Sequence, residues 1–313
     1  TSGLGWAVMF GAGESVFALF AASIQAPDYF FGLLFGVPCL AGPLLQVWGA
    51  NTLDRVRQYR SLVLYWVAAQ ILCFIPLVAL PFLETGLLAY VIFSVAVLCY
   101  HMTGNFALPS WTAWIGILVP TERRANYFAR FTRNTNICLL IVKLLICVAL
   151  FWANQHSVET CGWYLALVFS LAFAVAGIAR YCSFWDLKRM SDVPYEHAPD
   201  ASFTFWQFIR RIRESNFVRY VFYIGLFHFG IFLVVPFFVP YALYQLHFAQ
   251  WQWVVLESTA LLALIFSVLY WGRFSARFGN KKTLKYTTCI LTLIPFLWLC
   301  SGNFYYLIIV NYI

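Results

Sequence analysis

Charge is what this 313-residue chain has least of. Asp, Glu, Lys and Arg together make up 10% of it, against 63% hydrophobic and 20% aromatic residues. An ordinary soluble domain is about a quarter charged, so a soluble globular fold is excluded. Chemical motifs are missing as well. The sequence has no Walker loop, no HExxH, no GxSxG and no zinc-ligand spacing. It also lacks an acidic cluster for a divalent metal. The expectation is a protein that is not an enzyme and uses no cofactor and no metal. There is no CxxC pair, and the nine cysteines are odd in number. Most lie in apolar segments (Cys39, Cys73, Cys99, Cys138, Cys147, Cys289, Cys300) and read as small core hydrophobes. No cleavable signal peptide is visible. The chain opens at Thr1 and stops at Ile313 inside an apolar run, which reads as a fragment.

What is present is a series of long apolar segments. A bilayer core needs roughly 20 helical residues. Spans are expected at Trp6–Ile24, Tyr29–Trp48, Leu62–Phe82, Gly86–Val119, Asn134–Ala153, Gly162–Trp185, Tyr220–Leu243, Trp251–Trp271 and Thr283–Cys300. A tenth starts near Phe304 and is cut off. The fold class is therefore an all-α polytopic membrane protein with about nine complete spans. The fourth segment is too long for one straight crossing, and Pro109 is expected to kink it.

Of the 20 Lys and Arg residues, all but Lys143 fall in alternate gaps between these segments. Arg55, Arg57 and Arg60 follow span two. Arg123, Arg124, Arg130 and Arg133 follow span four, and Arg180, Lys188 and Arg189 mark the end of span six. Arg273, Arg277, Lys281, Lys282 and Lys285 follow span eight. Loops that collect Lys and Arg face the cytoplasm. The even gaps and the N-terminus are thus expected to be cytoplasmic, in a multi-pass membrane protein. The net charge of +8 is topogenic and does not point to nucleic acid. Trp48, Trp66, Trp152, Trp163, Trp185, Trp251, Trp253 and Trp271 lie near span ends, as interface anchors do.

The gaps after spans two and eight look alike. One reads Gly49-Ala-Asn-Thr-Leu-Asp54-Arg55-Val-Arg57, the other Gly272-Arg273-Phe-Ser-Ala276-Arg277-Phe-Gly279-Asn-Lys281-Lys282. Each occupies the same place in its half of the chain, which indicates an internal repeat. These residues resemble the major facilitator superfamily, whose loop signature runs Gly, then Asp-Arg four residues on, then Gly and two basic residues. Gly272, Arg277, Gly279, Lys281 and Lys282 fit the spacing, with Ala276 in place of the Asp. In the first copy Asp54 and Arg55 fit, the leading Gly is displaced by one, and Arg57 stands where the second Gly belongs. The stretches Pro109 to Arg130 and Asn216 to Tyr241 also resemble bacterial members.

The resemblance implies a 6+6 helix bundle, truncated here. Residues 1–187 would form a six-span half, 188–219 a cytoplasmic linker, and 220–313 an incomplete second half. In the linker, Phe205, Phe208, Ile209 and Ile212 recur at helical spacing between Arg210, Arg211 and Arg213. That pattern fits a basic amphipathic helix, either on membrane lipid or against the bundle ends. The resemblance further implies a cytoplasmic gate, with Asp54 pairing to a nearby Arg at the junction of the halves.

Polar residues inside spans are the candidate site. Glu14 and Lys143 fall at similar depths, about 21 Å and 17–20 Å from their outer ends by helical rise. An unpaired charge there is costly, and the resemblance implies that spans one and five are neighbours, so a Glu14–Lys143 pair facing the family's central cavity is expected. Glu257 fits three placements: engaging Lys143, lining the outer vestibule, or snorkelling to headgroups. His101 and Asn105, four apart on one helical face, and His228 are further candidates, ahead of Gln70. Gly32 and Gly36 form a GxxxG read as close helix packing.

The function expected is secondary active transport of a small solute by alternating access, coupled to H⁺ through a buried carboxylate beside a Lys. The alternatives are a non-transporting receptor or assembly subunit on the same fold, or a membrane-embedded transferase.

Overall fold

The computed structural model describes residues 2–84, 86–156, 162–195 and 215–312. The structure is 90% helical, and no strand occurs among the described residues. In hydrocarbon every backbone N–H and C=O must be bonded within its own segment, which a helix achieves and a lone strand does not. The helices run in the order α1 Ser2–Ser23, α2 Asp28–Val56, α3 Tyr59–Phe82, α4 Leu87–Leu118, α5 Thr121–His156, α6 Trp163–Arg189, α7 Asn216–Gln245, α8 Gln250–Phe278, α9 Asn280–Cys300 and α10 Phe304–Tyr312.

Eight of them, α1 to α7 and α9, are long and apolar enough to cross a membrane. The expected nine complete spans become these eight, plus α8 on length alone, with 29 residues. The 9-residue α10 begins where a tenth span was expected. Large apolar side chains such as Leu40 and Leu44 on α2, Leu145 and Val148 on α5, and Phe296 and Leu299 on α9 face outward. So much exposed apolar surface is foreign to a soluble monomer and suits lipid.

The helices outrun their apolar segments. Arg123, Arg124, Arg130 and Arg133 lie on α5, and Arg273 and Arg277 on α8, not in loops. Lys and Arg are good helix formers, so the helix does not stop where apolarity stops. The connections at this basic end are correspondingly tight: 57–58 between α2 and α3, 119–120 between α4 and α5, and Gly279 between α8 and α9. Helix α4 continues through Pro109 as one element. Of the expected linker 188–219, residues 188–189 end α6, 190–195 are non-helical chain and 216–219 begin α7, while 196–214 lie outside the described residues, as does the expected amphipathic helix.

The internal repeat has a geometric counterpart. A shift of 222 residues, the difference between 23 and 245, carries the end of α1 (Ser23) onto the end of α7 (Gln245). The same shift carries Gln25 onto His247, each with φ 56°. It carries Pro27 (φ −66°, ψ 155°) onto Ala249 (φ −70°, ψ 154°), each opening a helix of 29 residues. It carries Arg57 (φ 55°) onto Gly279 (φ 86°) at the far end. Residues other than glycine seldom adopt positive φ, so matched positions at one offset mark two copies of one hairpin design.

Helix α1 is the centre of the first group. Phe10–Glu14 forms a single π-turn, a feature frequent at functional sites. Its glycines let neighbours close in. A Cβ on Gly11 would lie 2.9 Å from Val142 of α5, and one on Gly13 2.8 Å from Phe74 of α3. Below, Phe17, Phe20, Phe93, Phe169 and Phe173 interlock as a buried aromatic core. The expected GxxxG serves only in part. Gly32 faces Phe237 of α7 at 3.3 Å, whereas Gly36 faces open space. Close packing of α2 on α4 falls instead to Gly42 and Gly49, whose Cβ positions lie 3.0 Å from Asn105 and 2.8 Å from the Phe106 carbonyl.

Helices α7–α10 join the first group chiefly through α5 against α8, and through the ends of α1 and α2 against α7. The side-chain contacts lie toward the end opposite the basic one. Tyr244 donates to the Ala26 carbonyl at 2.8 Å and packs on Phe31, and Phe151 meets Trp251 edge-on at 5.3 Å. At the basic end Phe217 and Tyr220 of α7 are exposed.

Candidate functional site

The feature that ties the two groups together electrostatically is an ion pair. Lys143 of α5 donates from Nζ to Oε2 of Glu257 of α8 at 2.6 Å, with side-chain exposures of 10% and 28%. By helical rise, Lys143 lies about 20 Å from the His156 end of its helix and Glu257 about 10 Å from the Gln250 end. One turn on, Cys147 donates from Sγ to the Trp251 carbonyl at 3.5 Å, fixing the register of α5 on α8.

This corrects the expected Glu14–Lys143 pair. The two residues do fall level, since Gly11 packs against Val142, but they face different ways: Glu14 closes the π-turn, which rotates the helix face beyond it relative to a regular count. Glu14 instead accepts a hydrogen bond from the Tyr100 hydroxyl of α4 at 2.8 Å. Tyr100 is fully buried and also touches Met9 and Phe17.

The remaining candidates separate. His101 stands beside Tyr100, its ring 6.3 Å from Phe17, and its Nε2 is buried without a hydrogen-bond partner. Asn105 belongs to the α2–α4 seam. It donates to the His101 carbonyl and accepts from Gln46 Nε2 at 2.9 Å. His228 is exposed on α7, bonded to the Ile224 carbonyl, and is not brought to the other candidates. The arrangement thus has two centres: a charged bridge, Lys143–Glu257, and a carboxylate, Glu14, beside a phenol and an imidazole.

At the basic end Asp54 pairs with a tyrosine, not with the arginine expected. The Tyr195 hydroxyl donates to Asp54 Oδ1 at 2.5 Å, and its ring lies 5.5 Å from that of Tyr59. The carboxylate accepting that proton holds the Tyr195 phenol up to about 12. Trp114 Nε1 donates to the Ser191 carbonyl at 3.1 Å and the Arg60 guanidinium to the Lys188 carbonyl. The start of the linker is thereby strapped over the ends of α2, α3, α4 and α6. Arg55 is exposed. In the second copy Gly272 faces open space and Gly279 makes the turn. Arg277 and Lys282 sit over the Phe278 ring at 5.2 and 5.9 Å, and Lys281 is exposed.

Three residues escaped the sequence reading. Tyr100 was masked by the many aromatics around it, although its place next to His101 in mid-span was a signal. Tyr195 lay in what reads as linker. Arg180 was grouped with the topogenic charges, yet it is 7% exposed, nine positions inside the end of α6.

Taken together, the helices, the lipid-facing surface and the buried charges define a multi-pass helical membrane protein. No family model and no curated protein matches the chain, so this class rests on fold and site alone.

Proposed function

We propose that the chain is a secondary active transporter of the major facilitator type, moving a small solute by alternating access with H⁺ as the coupling ion. The observation that carries this reading is the Lys143–Glu257 pair, a single charged bridge at membrane depth between two repeat-related helix groups. A bridge between two groups is the kind of contact that rocking makes and breaks. Glu14 sits apart from it, in no ion pair with a described residue, bonded by the Tyr100 hydroxyl. In this reading Glu14 carries the proton and Lys143–Glu257 latches one of the two states. The matched hairpins, with Asp54-Arg55 answering to Ala276-Arg277, are the gates, and the basic end is cytoplasmic.

The experiment has two stages. A thermal-shift screen of the full-length protein against metabolites and drugs finds the solute. Proteoliposome uptake of that solute is then measured with and without an imposed pH gradient. Accumulation driven by the gradient, lost in Glu14→Gln with exchange retained, is the expected result. Gradient-independent equilibration in the native protein excludes proton coupling, and absence of any uptake excludes transport.

A further inference from the structure

Away from both centres, the first helix group forms a partly open cavity of about 270 Å³ toward the basic end, lined by α1, α3, α4, α5 and α6. Its lining is mostly apolar, yet it holds two buried polar side chains whose bonding is incomplete. Arg180 of α6 is 7% exposed, forms no ion pair with a described residue, and has an Nε without a hydrogen-bond partner. Gln70 of α3 is 4% exposed. Its Nε2 donates to the Tyr100 carbonyl at 3.2 Å, which fixes the amide orientation and leaves Oε1 without a donor. Ser183, on the same wall, is already satisfied by the Ser2 carbonyl at 3.0 Å.

A guanidinium does not discharge to escape burial, because it stays protonated at any accessible pH. Its desolvation has to be offset by an anion. The nearby phenol of Tyr100 does not serve, since it is neutral and its proton is given to Glu14. The cavity thus presents an unmet cation, an unmet acceptor and an apolar wall. A dry cavity of about 150 Å³ holds a benzene ring, so this one has room for a ring with a polar head.

We propose that this cavity is a binding site for an amphipathic anion. Its carboxylate or phosphate would sit on Arg180, an adjacent O–H or N–H on Gln70 Oε1, and its apolar body among Trp6, Val67, Leu108 and Trp111. The required chemistry is an anionic head with a neighbouring donor, borne by a free solute or by a lipid headgroup. The site does not depend on the chain being a transporter.

The test is calorimetric titration of the full-length protein in nanodiscs at pH 7, with mandelate, phenylacetate and phenyl phosphate as probes. In phosphatidylcholine discs, saturable binding of at least one probe is expected, weakened at least tenfold by Arg180→Gln. Mandelate should bind several-fold tighter than phenylacetate, and Gln70→Met should close that gap. Without probe, Arg180→Gln should melt no lower than the native protein, because it removes an uncompensated buried charge. A clearly lower melting temperature would make Arg180 a structural residue and overturn the site. Phosphatidylglycerol discs distinguish the source. If this lipid weakens probe binding and raises the melting temperature of the native protein but not of Arg180→Gln, the anion is a headgroup. Saturable solute binding indifferent to this lipid assigns it to a free solute. No saturable binding together with no Arg180-dependent lipid effect overturns the proposal, as does equal probe binding by Arg180→Gln.

Discussion

For Lys143 the decisive quantity is what remains when its partner is removed. Glu257→Gln leaves an ammonium at 10% side-chain exposure without a counter-charge. Breaking a buried pair from one side costs about 3–5 kcal/mol, and the partial exposure of Glu257 places this case at or below the lower figure. Replacing both by apolar residues, Lys143→Met with Glu257→Leu, should restore most of that loss. Thermal unfolding in detergent checks it: the double variant should melt above either single one, and equal melting of all three contradicts the partnership. Glu14→Gln should have a smaller effect on stability, because the amide oxygen still accepts from Tyr100. At the basic end the sign of the pH dependence follows from Tyr195. Its phenol is raised in the folded state to about 12, so its contribution is complete below the ordinary tyrosine range near pH 10 and is lost as pH rises through about 12. Tyr195→Phe should therefore loosen the 190–195 strap at neutral pH. Faster proteolysis near Ser191, with the helices unchanged, is the readout. Sequence alone identified Lys143, Glu257 and Glu14 as residues that cannot be idle in a membrane. It left Glu257 three placements, of which engaging Lys143 is the one found, and could not set Glu14 aside as the partner, because that depends on which way the π-turn of α1 aims the carboxylate.

Among the elements, the two hairpin turns make the sharpest comparison. Arg57 closes α2 in the left-handed region at φ 55°, ψ 31°, and Gly279 closes α8 at φ 86°, ψ 155°. The first conformation strains an arginine modestly, and the second belongs almost to glycine alone. Arg57→Gly should leave stability unchanged or raise it by up to about 1 kcal/mol. Gly279→Ala should lower it by about 1–3 kcal/mol. Melting curves of the two variants, expected to move in opposite senses, decide the matter. A second contrast lies within α2. Gly49→Ala would push a Cβ against the Phe106 carbonyl at 2.8 Å, whereas Gly36→Ala meets nothing within 4 Å. Overpacking of this kind costs about 1–3 kcal/mol, so the first should destabilise measurably and the second should not. The helices themselves were legible because their apolar runs are long and helix is the form a lone segment takes in lipid. Their ends were not, because arginines continue a helix as readily as leucines do. The glycines that matter, Gly42 and Gly49, stand seven apart and match no short motif.

For the whole molecule, the side-chain contacts between the two groups among the described residues gather toward the end opposite the basic one. The all-helical, many-spanned class was readable from hydropathy, and the repeat from two imperfect loops. The 222-residue correspondence of turns and helix lengths shows why those loops look alike: they close copies of the same hairpin. Where the groups meet was beyond the sequence, since it depends on contacts such as Tyr244 to Ala26 and Lys143 to Glu257. In the proposed cycle these contacts latch one of two states, and the basic ends meet when the latch opens. This cycle is tested most directly by spin-label distances in a cysteine-free background, with labels at the exposed positions 51 and 285 for the basic end and 29 and 245 for the other. The account predicts two populated distances at each end. Lys143→Gln with Glu257→Gln should shorten the 51–285 distance while lengthening the 29–245 distance. One unchanging distance at both ends, in the native protein and in the double variant, would contradict it.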